Sequence, residues 1–362
     1  MLKMNIQELS LINFRNYEQA TVKFLPGLNF IVGKNAQGKT NLLESLYLTS
    51  VGKSSKNSKD KQIIKFECDK AKIETTFNTI AGTKNIKIYL DKFNKKAIKI
   101  NNLNIMKLTE LVGTLSVVYF SPDELRLIKE LPEDRRTFLD VSISQFDKNY
   151  LYTLLKYDKI LKQRNSILKS LNSAETKKEQ LALFTPQLIN AAVVIIEKRL
   201  KFIENIKKIA KNIHKTITIN EDLEILYSYS KKEDLSIEED LKLQFEKIID
   251  KELELGYTCL GPHRDDIIFK INNLDSKHYA SQGQQRTVAL VVKLSLMEVI
   301  KNEIGEYPVL LLDDVLSELD EARQYRLLNL AQQYQTLITC TAIPKTDFNF
   351  NEIKIENGKV IS

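Results

Sequence analysis

Cysteine is nearly absent from this chain, with three among 362 residues, at positions 68, 259 and 340. So small and odd a number does not form an even disulfide framework, and it points to a reducing, cytoplasmic setting. Cys259 and His263 stand near each other, but no second ligand pair accompanies them, which favours core or loop roles over metal. Long apolar runs are missing too. The longest in the middle, Leu188 to Ile196, meets Glu197-Lys198-Arg199 and is too short to span a bilayer. Met1-Leu2-Lys3-Met4-Asn5 leads into a strand pattern and not into a signal peptide. No zinc finger, aromatic RNA-binding motif or recognition-helix signature occurs, so any nucleic-acid binding should read backbone and shape more than sequence. No Asn-Lys-x-Asp guanine-reading motif occurs, which disfavours a GTPase. Glycine is scarce, 11 residues in all, so a glycine-bearing phosphate motif is hard to obtain by chance.

What is present is ordinary for a soluble globular protein: 43% hydrophobic and 28% charged residues. The length exceeds one typical domain. Net charge is +7, with pI near 8.9. Lysines cluster at Lys53, Lys56, Lys59 and Lys61, and again at Lys92, Lys95, Lys96 and Lys99. A third cluster runs Lys198, Arg199, Lys201, Lys207, Lys208 and Lys211. Each could track phosphates, but for any one cluster a solvated face is the favoured reading.

Three separated motifs carry the chemistry. Gly33-Lys34-Asn35-Ala36-Gln37-Gly38-Lys39-Thr40 is a full phosphate loop. Leu28-Asn29-Phe30-Ile31-Val32 reads as the strand before it, and Asn41 to Leu48 as the helix after it. Glycines let backbone N–H groups wrap anionic oxygens, and the helix N-terminus adds its positive dipole end. Lys39 is expected on the β- and γ-phosphates of ATP, and the Thr40 hydroxyl on Mg²⁺. Later, the apolar run Tyr307 to Leu312 ends in Asp313-Asp314, where ligands bind in parallel sheets. Asp313 is expected to hold Mg²⁺, and Asp314 to orient or deprotonate the attacking water. An ordinary strand ending in a polar turn is the bland alternative. Between them, Ser281-Gln282-Gly283-Gln284-Gln285-Arg286 opens a helical stripe from Thr287 to Ile300. Ser281, Gly283 and Gln284 make a second anion site, which a second protomer could use; a plain Ser N-cap is the alternative.

In this order the three elements resemble the ABC-type ATPase heads of the SMC-like group, and more closely the RecF family of bacterial recombination mediators. The likeness runs nearly end to end. It includes Leu11-Ile12-Asn13-Phe14-Arg15-Asn16-Tyr17, Phe120-Ser121-Pro122-Asp123, Arg135 to Asp140, Leu161 to Asn165 and Gly261 to Asp266. Two departures are Lys53, where an Arg is common, and Glu130 to Asp134, where a glycine-containing turn is usual. The resemblance implies an ATP-dependent homodimer that binds single-stranded and gapped duplex DNA. It implies a weak DNA-dependent ATPase acting as a switch, with Lys39, Ser281 and Asp314 catalytic. It also implies work with RecO and RecR to load RecA, and no membrane partner.

The expected fold is α/β: a phosphate-loop ATPase head with a mixed sheet, interrupted by a helical lobe. The expected division is an N-terminal ATPase part over 1–125, a helical insertion over 126–254 and a C-terminal ATPase part over 255–362. Within the insertion, Thr185-Pro186 is expected as N-cap and first residue of a helix to His214, ~43 Å long. Two other readings compete. An SMC-like structural ATPase would need sustained heptads between the nucleotide motifs, and none occur. A transporter ATPase subunit usually carries a switch histidine after the strand that follows the acidic one; here that strand, Thr336 to Thr341, has no His.

Overall fold

A buried helix lying between two sheets organises the nucleotide-motif half of the chain. The computed structural model describes residues 4–56, 58–218, 221–229 and 234–361. It divides into two compact units. One comprises Met1–Leu125, Thr216–Ile219 and Ala289–Ser362; the other comprises Arg126–Lys215 and Asn220–Val288.

The first unit holds two six-stranded sheets. One runs in the order Lys359–Val360, Phe350–Glu356, Leu28–Val32, Thr336–Cys340, Val309–Asp313 and Val117–Phe120. Its strands are parallel apart from the terminal hairpin Phe350–Glu356/Lys359–Val360. Val309–Asp313, Thr336–Cys340 and Val117–Phe120 are buried at every position, as uninterrupted apolar strands require. The other sheet is antiparallel: Tyr17–Lys23, Asn5–Phe14, Lys70–Thr79, Gly82–Asp91, Ala97–Ile100 and Leu103–Ile105. Lys70–Thr79 alternates buried and half-buried residues, the mark of a sheet with one wet face. The helix Lys39–Val51 packs on strands of both sheets, so Leu42, Leu43, Leu46 and Leu48 are all buried and it has no single apolar stripe.

The second unit carries Pro132–Ser144, Lys148–Lys169, most of Ala174–Ile217 and Ile237–Leu255, with a three-stranded sheet of Leu274–Asp275, Ile267–Ile271 and Leu223–Tyr227. The contacts divide the chain differently from the boundary expected after residue 254. The second unit continues to Val288, because Ile267–Ile271 pairs with Leu223–Tyr227 inside it.

The long helix also corrects the expected start at Pro186. It runs unbroken over Ala174–Ile217, 44 residues and ~66 Å, with Pro186 inside. Pro186 and Ala182 are both exposed, so the carbonyl deprived of its donor can be solvated. The Thr185 hydroxyl accepts from Arg164 Nε at 3.4 Å instead of capping a helix. By length and composition this helix could cross a membrane. Its stripe of Leu181, Leu188, Ile189, Ala192, Ile195, Ile196, Phe202 and Ile206 is buried within the protein instead.

The polar core of the second unit explains several family-like motifs. Arg164 and Glu252, both fully buried, pair at 2.6 Å, and Arg164 also donates to Thr258 Oγ1 at 2.8 Å. Arg199, 2% exposed, pairs with Asp140 and donates to the Pro262 carbonyl, each at 2.6 Å. Removing one member of such a pair leaves an uncompensated buried charge, at a cost of roughly 3–5 kcal/mol. Beside them His263 Nδ1 meets the Tyr157 hydroxyl at 2.6 Å.

Burial lowers the His263 pKa from 6.5 to about 4, and the nearby cations Arg264, Arg136 and Arg164 add to this. The unfolded chain therefore binds the extra proton first. Stability from neutral His263 is complete above pH 6.5 and is lost as pH falls towards 4, to the extent of ~3 kcal/mol. Urea midpoints measured from pH 7.5 to 4 should fall more steeply for the wild type than for His263→Asn. Parallel pH slopes in the two proteins would remove this assignment.

Candidate nucleotide site

The loop Gly33–Thr40 leaves the strand Leu28–Val32 and enters the helix Lys39–Val51 through two left-handed residues, Ala36 (φ 63°) and Gly38 (φ 111°). Gly38 is the helix N-cap and supplies no side-chain acceptor. The first-turn N–H groups thus have no side-chain cap, which is the condition for an anion site. Lys39 is 8% exposed, and its Nζ donates to the Gly33 and Lys34 carbonyls at 2.5 and 2.9 Å. Burial lowers its pKa below the ordinary lysine value, opposed by the charges of Asp314 and Asp313.

The sheet order sets Val309–Asp313 one strand away from Leu28–Val32, with Thr336–Cys340 between them. That brings Asp313 to the loop. Its Oδ1 accepts from Thr40 Oγ1 at 2.9 Å and Thr339 Oγ1 at 2.7 Å, and its Oδ2 from the Tyr119 hydroxyl at 3.0 Å. Burial and the Asp313 charge hold the Tyr119 pKa well above its usual value, so the phenol stays a donor. Thr40 and Asp313 form a hard-oxygen set of one hydroxyl and one carboxylate. That suits Mg²⁺, which prefers one or two carboxylates with substrate phosphates and water. No cluster of three His, Cys, Asp or Glu occurs among the described residues to suggest a metal held by protein alone.

Asp314 follows the strand in a left-handed conformation (φ 51°), half-buried. Its N–H donates to Thr339 Oγ1 at 2.8 Å, and its carbonyl accepts from Ser317 Oγ at 2.8 Å. Positive φ is uncommon for a non-glycine residue, and these two bonds hold Asp314 in it beside the phosphate loop. Tyr119 and Thr339, which fix Asp313 and Asp314, carry no local sequence signal of that role.

Ser281, Gly283 and Gln284 lie in the other unit, at the start of Gln282–Ile304, which begins earlier and ends later than the stripe suggests. Gln284 N–H donates to Ser281 Oγ at 3.2 Å, and Ser281 N–H to Gln284 Oε1 at 2.8 Å, a reciprocal capping box. Ser281 and Gly283 are exposed. The plain capping role is therefore real, and it leaves the Ser281 face open to solvent.

The arginines of the family-like motifs are engaged within the fold. Arg15 forks onto fully buried Glu44, from Nη2 at 2.7 Å and Nε at 2.9 Å. Arg135 forks onto Asp266 at 2.5 and 2.8 Å, and Arg136 donates to the Asp265 carbonyl at 2.9 Å. Arg264 donates to the Thr258 carbonyl at 3.0 Å and lies over the Tyr257 ring. Arg199 is corrected out of the basic cluster it shares in sequence, because its position on the long helix faces Asp140 and not solvent. Lys96 donates to the Gly52 carbonyl at 2.6 Å and pairs with Asp60, and Lys198 pairs with Asp147 at 2.7 Å. Lys53, Lys56, Lys59, Lys61 and Lys95 are exposed.

Comparison with known proteins agrees along the whole chain. The family model described as RecF/RecN/SMC N terminal domain matches residues 5–352. A Clostridium botulinum protein named DNA replication and repair protein RecF is 43% identical, over 99% of both chains. The Clostridium tetani protein of that name is 42% identical, over 99% of this chain and 100% of its own. A solved structure described as the recombination mediator protein RecF-ATP in the RecFOR pathway superposes with TM-score 0.92. It is 37% identical and covers 99% of this chain and 97% of its own.

Proposed function

The chain belongs to the RecF family, and from that premise we propose that it is an ATP-dependent DNA-binding protein of replication and recombinational repair. It binds single-stranded and gapped duplex DNA as an ATP-held homodimer in the cytoplasm and, with RecO and RecR, helps load RecA at gaps. One observation carries the ATP part: the Thr40 hydroxyl on Asp313 at 2.9 Å, which joins the phosphate loop to the acidic strand 273 positions away. The loop N–H groups and Lys39 take the β- and γ-phosphates. Thr40 and Asp313 would hold Mg²⁺, which supplies charge neutralisation between the phosphates. Asp314 orients or deprotonates the attacking water, as in a weak ATPase that acts as a switch. Ser281, Gly283 and Gln284 meet the γ-phosphate of the partner protomer.

DNA binding then follows dimerisation. Two copies of a +7 chain held together by ATP offer a wider positive surface than one. The affinity comes from phosphate contacts, so it should fall steeply with salt and vary little with sequence. Fluorescence anisotropy on random-sequence gapped DNA, with and without ATP over a salt series, measures this. Equal binding without nucleotide, or none at low salt, would replace this reading with a partner-regulating ATPase that does not touch DNA. Ser281→Arg separates the protomers' roles. It should abolish ATP-dependent dimerisation in sedimentation while the monomer still binds ATP; loss of monomer binding would place Ser281 in its own chain's site.

A further inference from the structure

Two turns far apart in sequence meet at the tip of the phosphate loop. The first links strands Asn5–Phe14 and Tyr17–Lys23 and contains Arg15 and Asn16. The second is Asn357-Gly358, between Phe350–Glu356 and Lys359–Val360, with φ 48° and 70°. Both residues of the second turn are left-handed, as in a type I′ hairpin turn.

Two successive loop carbonyls are held here, the first of them by both turns. Gln37 O accepts from Asn16 Nδ2 at 3.0 Å and from the Gly358 N–H at 3.2 Å. Gly38 O accepts from the Tyr17 hydroxyl at 3.0 Å and from the Leu42 N–H at 3.0 Å. Gln37 Oε1 in turn accepts from the Asn357 N–H, and Asn16 Oδ1 accepts from Asn41 Nδ2 at 2.9 Å. The fit is close. A Cβ on Gly38 would lie 2.5 Å from Asn16 Nδ2, and a Cβ on Gly358 would lie 2.6 Å from the Asn16 carbonyl oxygen.

The described backbone has no cis peptide bond. In a planar trans peptide the C=O and the following N–H point in opposite directions. Fixing the Gln37 and Gly38 carbonyls on the protein side therefore turns the Gly38 and Lys39 N–H groups the other way, out of the loop. Those are donors that an anion at the helix start requires. The turns thus set the Gly38 donor, and Tyr17 with the helix bond from Leu42 sets the Lys39 donor, before a ligand arrives, so that ordering them costs nothing at the moment of binding.

We propose that Asn16 and the Asn357-Gly358 turn are positioning elements of the nucleotide site, aiming the Gly38 N–H group at the phosphates through the Gln37 carbonyl behind it. This rests on the reading of the loop as an ATP site and extends it to the C-terminal hairpin, which contains none of the sequence motifs.

The test uses the full chain and Mg·ATP, with titration calorimetry for affinity, single-turnover hydrolysis for chemistry and thermal unfolding without nucleotide for the fold. Asn16 is exposed, so Asn16→Ala should unfold within about 1 °C of the wild type. Its ATP affinity should fall ~5–10-fold, the size of one to one and a half kcal/mol of lost pre-organisation. Its hydrolysis rate at saturating ATP should stay within about twofold, because the donors act equally on bound and reacting nucleotide. Gly358→Ala, which drives a Cβ at the Asn16 carbonyl, should weaken ATP in the same direction, and the two changes together should cost less than their sum. A folded Asn16→Ala protein with wild-type ATP affinity overturns the brace and leaves the ATP site standing. So does a lowered unfolding temperature with unchanged affinity, which would make the contact merely structural. Absence of ATP binding in the wild type would overturn the ATP reading itself, and the brace with it.

Discussion

Lys39→Met should lower ATP affinity by at least ~10²-fold and abolish ATP-dependent dimerisation, with the fold intact. The magnitude follows from removing charge-assisted bonds to phosphate, worth roughly 1.5–3 kcal/mol each, at about 1.4 kcal/mol per tenfold. The intact fold follows from the sign of the lysine's own shift. Burial lowers the Lys39 pKa even against the pull of Asp313 and Asp314. The charged form is therefore less favourable in the folded protein than in water, and an uncharged side chain of similar length gives up no net electrostatic stabilisation. Without nucleotide, Lys39→Met should therefore remain folded and unfold close to the wild-type temperature. Calorimetry with ATP, sedimentation with ATP and thermal unfolding without it measure the three quantities. A Lys39→Met protein that still dimerised at the wild-type ATP concentration would overturn the phosphate-loop reading.

The parts of this site that could be read from the sequence are the parts whose physics is local. A strand, a glycine turn and a helix start are consecutive in the loop, so Gly33 to Thr40 announces its geometry. The strand Val309–Asp313 is equally plain, because full burial demands an unbroken apolar run. What the sequence hid is long-range. Tyr119 and Thr339 become partners of Asp313 only when three strands align in parallel. Asn16 and Gly358 meet Gln37 across 21 and 321 positions, and nothing around any of the three marks the meeting. The lysine- and arginine-rich runs misled for a related reason. A run of charges on a helix samples every direction, so Arg199 turns inward to Asp140 while its neighbour Lys198 reaches Asp147. Pro186 misled because a proline at a helix start and one on the wet side of a long helix look the same in sequence. Only the burial of Leu181 and Leu188 on either side separates the two.

Asp314→Asn should leave ATP and Mg²⁺ binding intact, slow single-turnover hydrolysis by ~10²-fold or more, and prolong the ATP-held dimer by a similar factor. The backbone makes this a clean test. Asp314 sits at φ 51°, and asparagine tolerates that left-handed region at least as well as aspartate. The bonds that hold the residue run through its N–H to Thr339 and its carbonyl from Ser317, so neither depends on the carboxylate. Only the proton acceptor is lost. Many ABC-type ATPases carry Glu here; the shorter Asp sets the carboxylate back by one methylene, so wild-type hydrolysis should itself be slow. The neighbouring residue should behave differently. Asp313 accepts three hydroxyl protons, from Thr40, Thr339 and Tyr119. Asp313→Asn leaves a single oxygen acceptor for those donors and removes the charge offered to Mg²⁺. Its defect should therefore appear as weaker Mg²⁺-dependent ATP binding, before any chemistry. Rapid-quench single-turnover assays beside Mg²⁺ titrations separate the two substitutions. Hydrolysis at the wild-type rate in Asp314→Asn would remove Asp314 from the role of base.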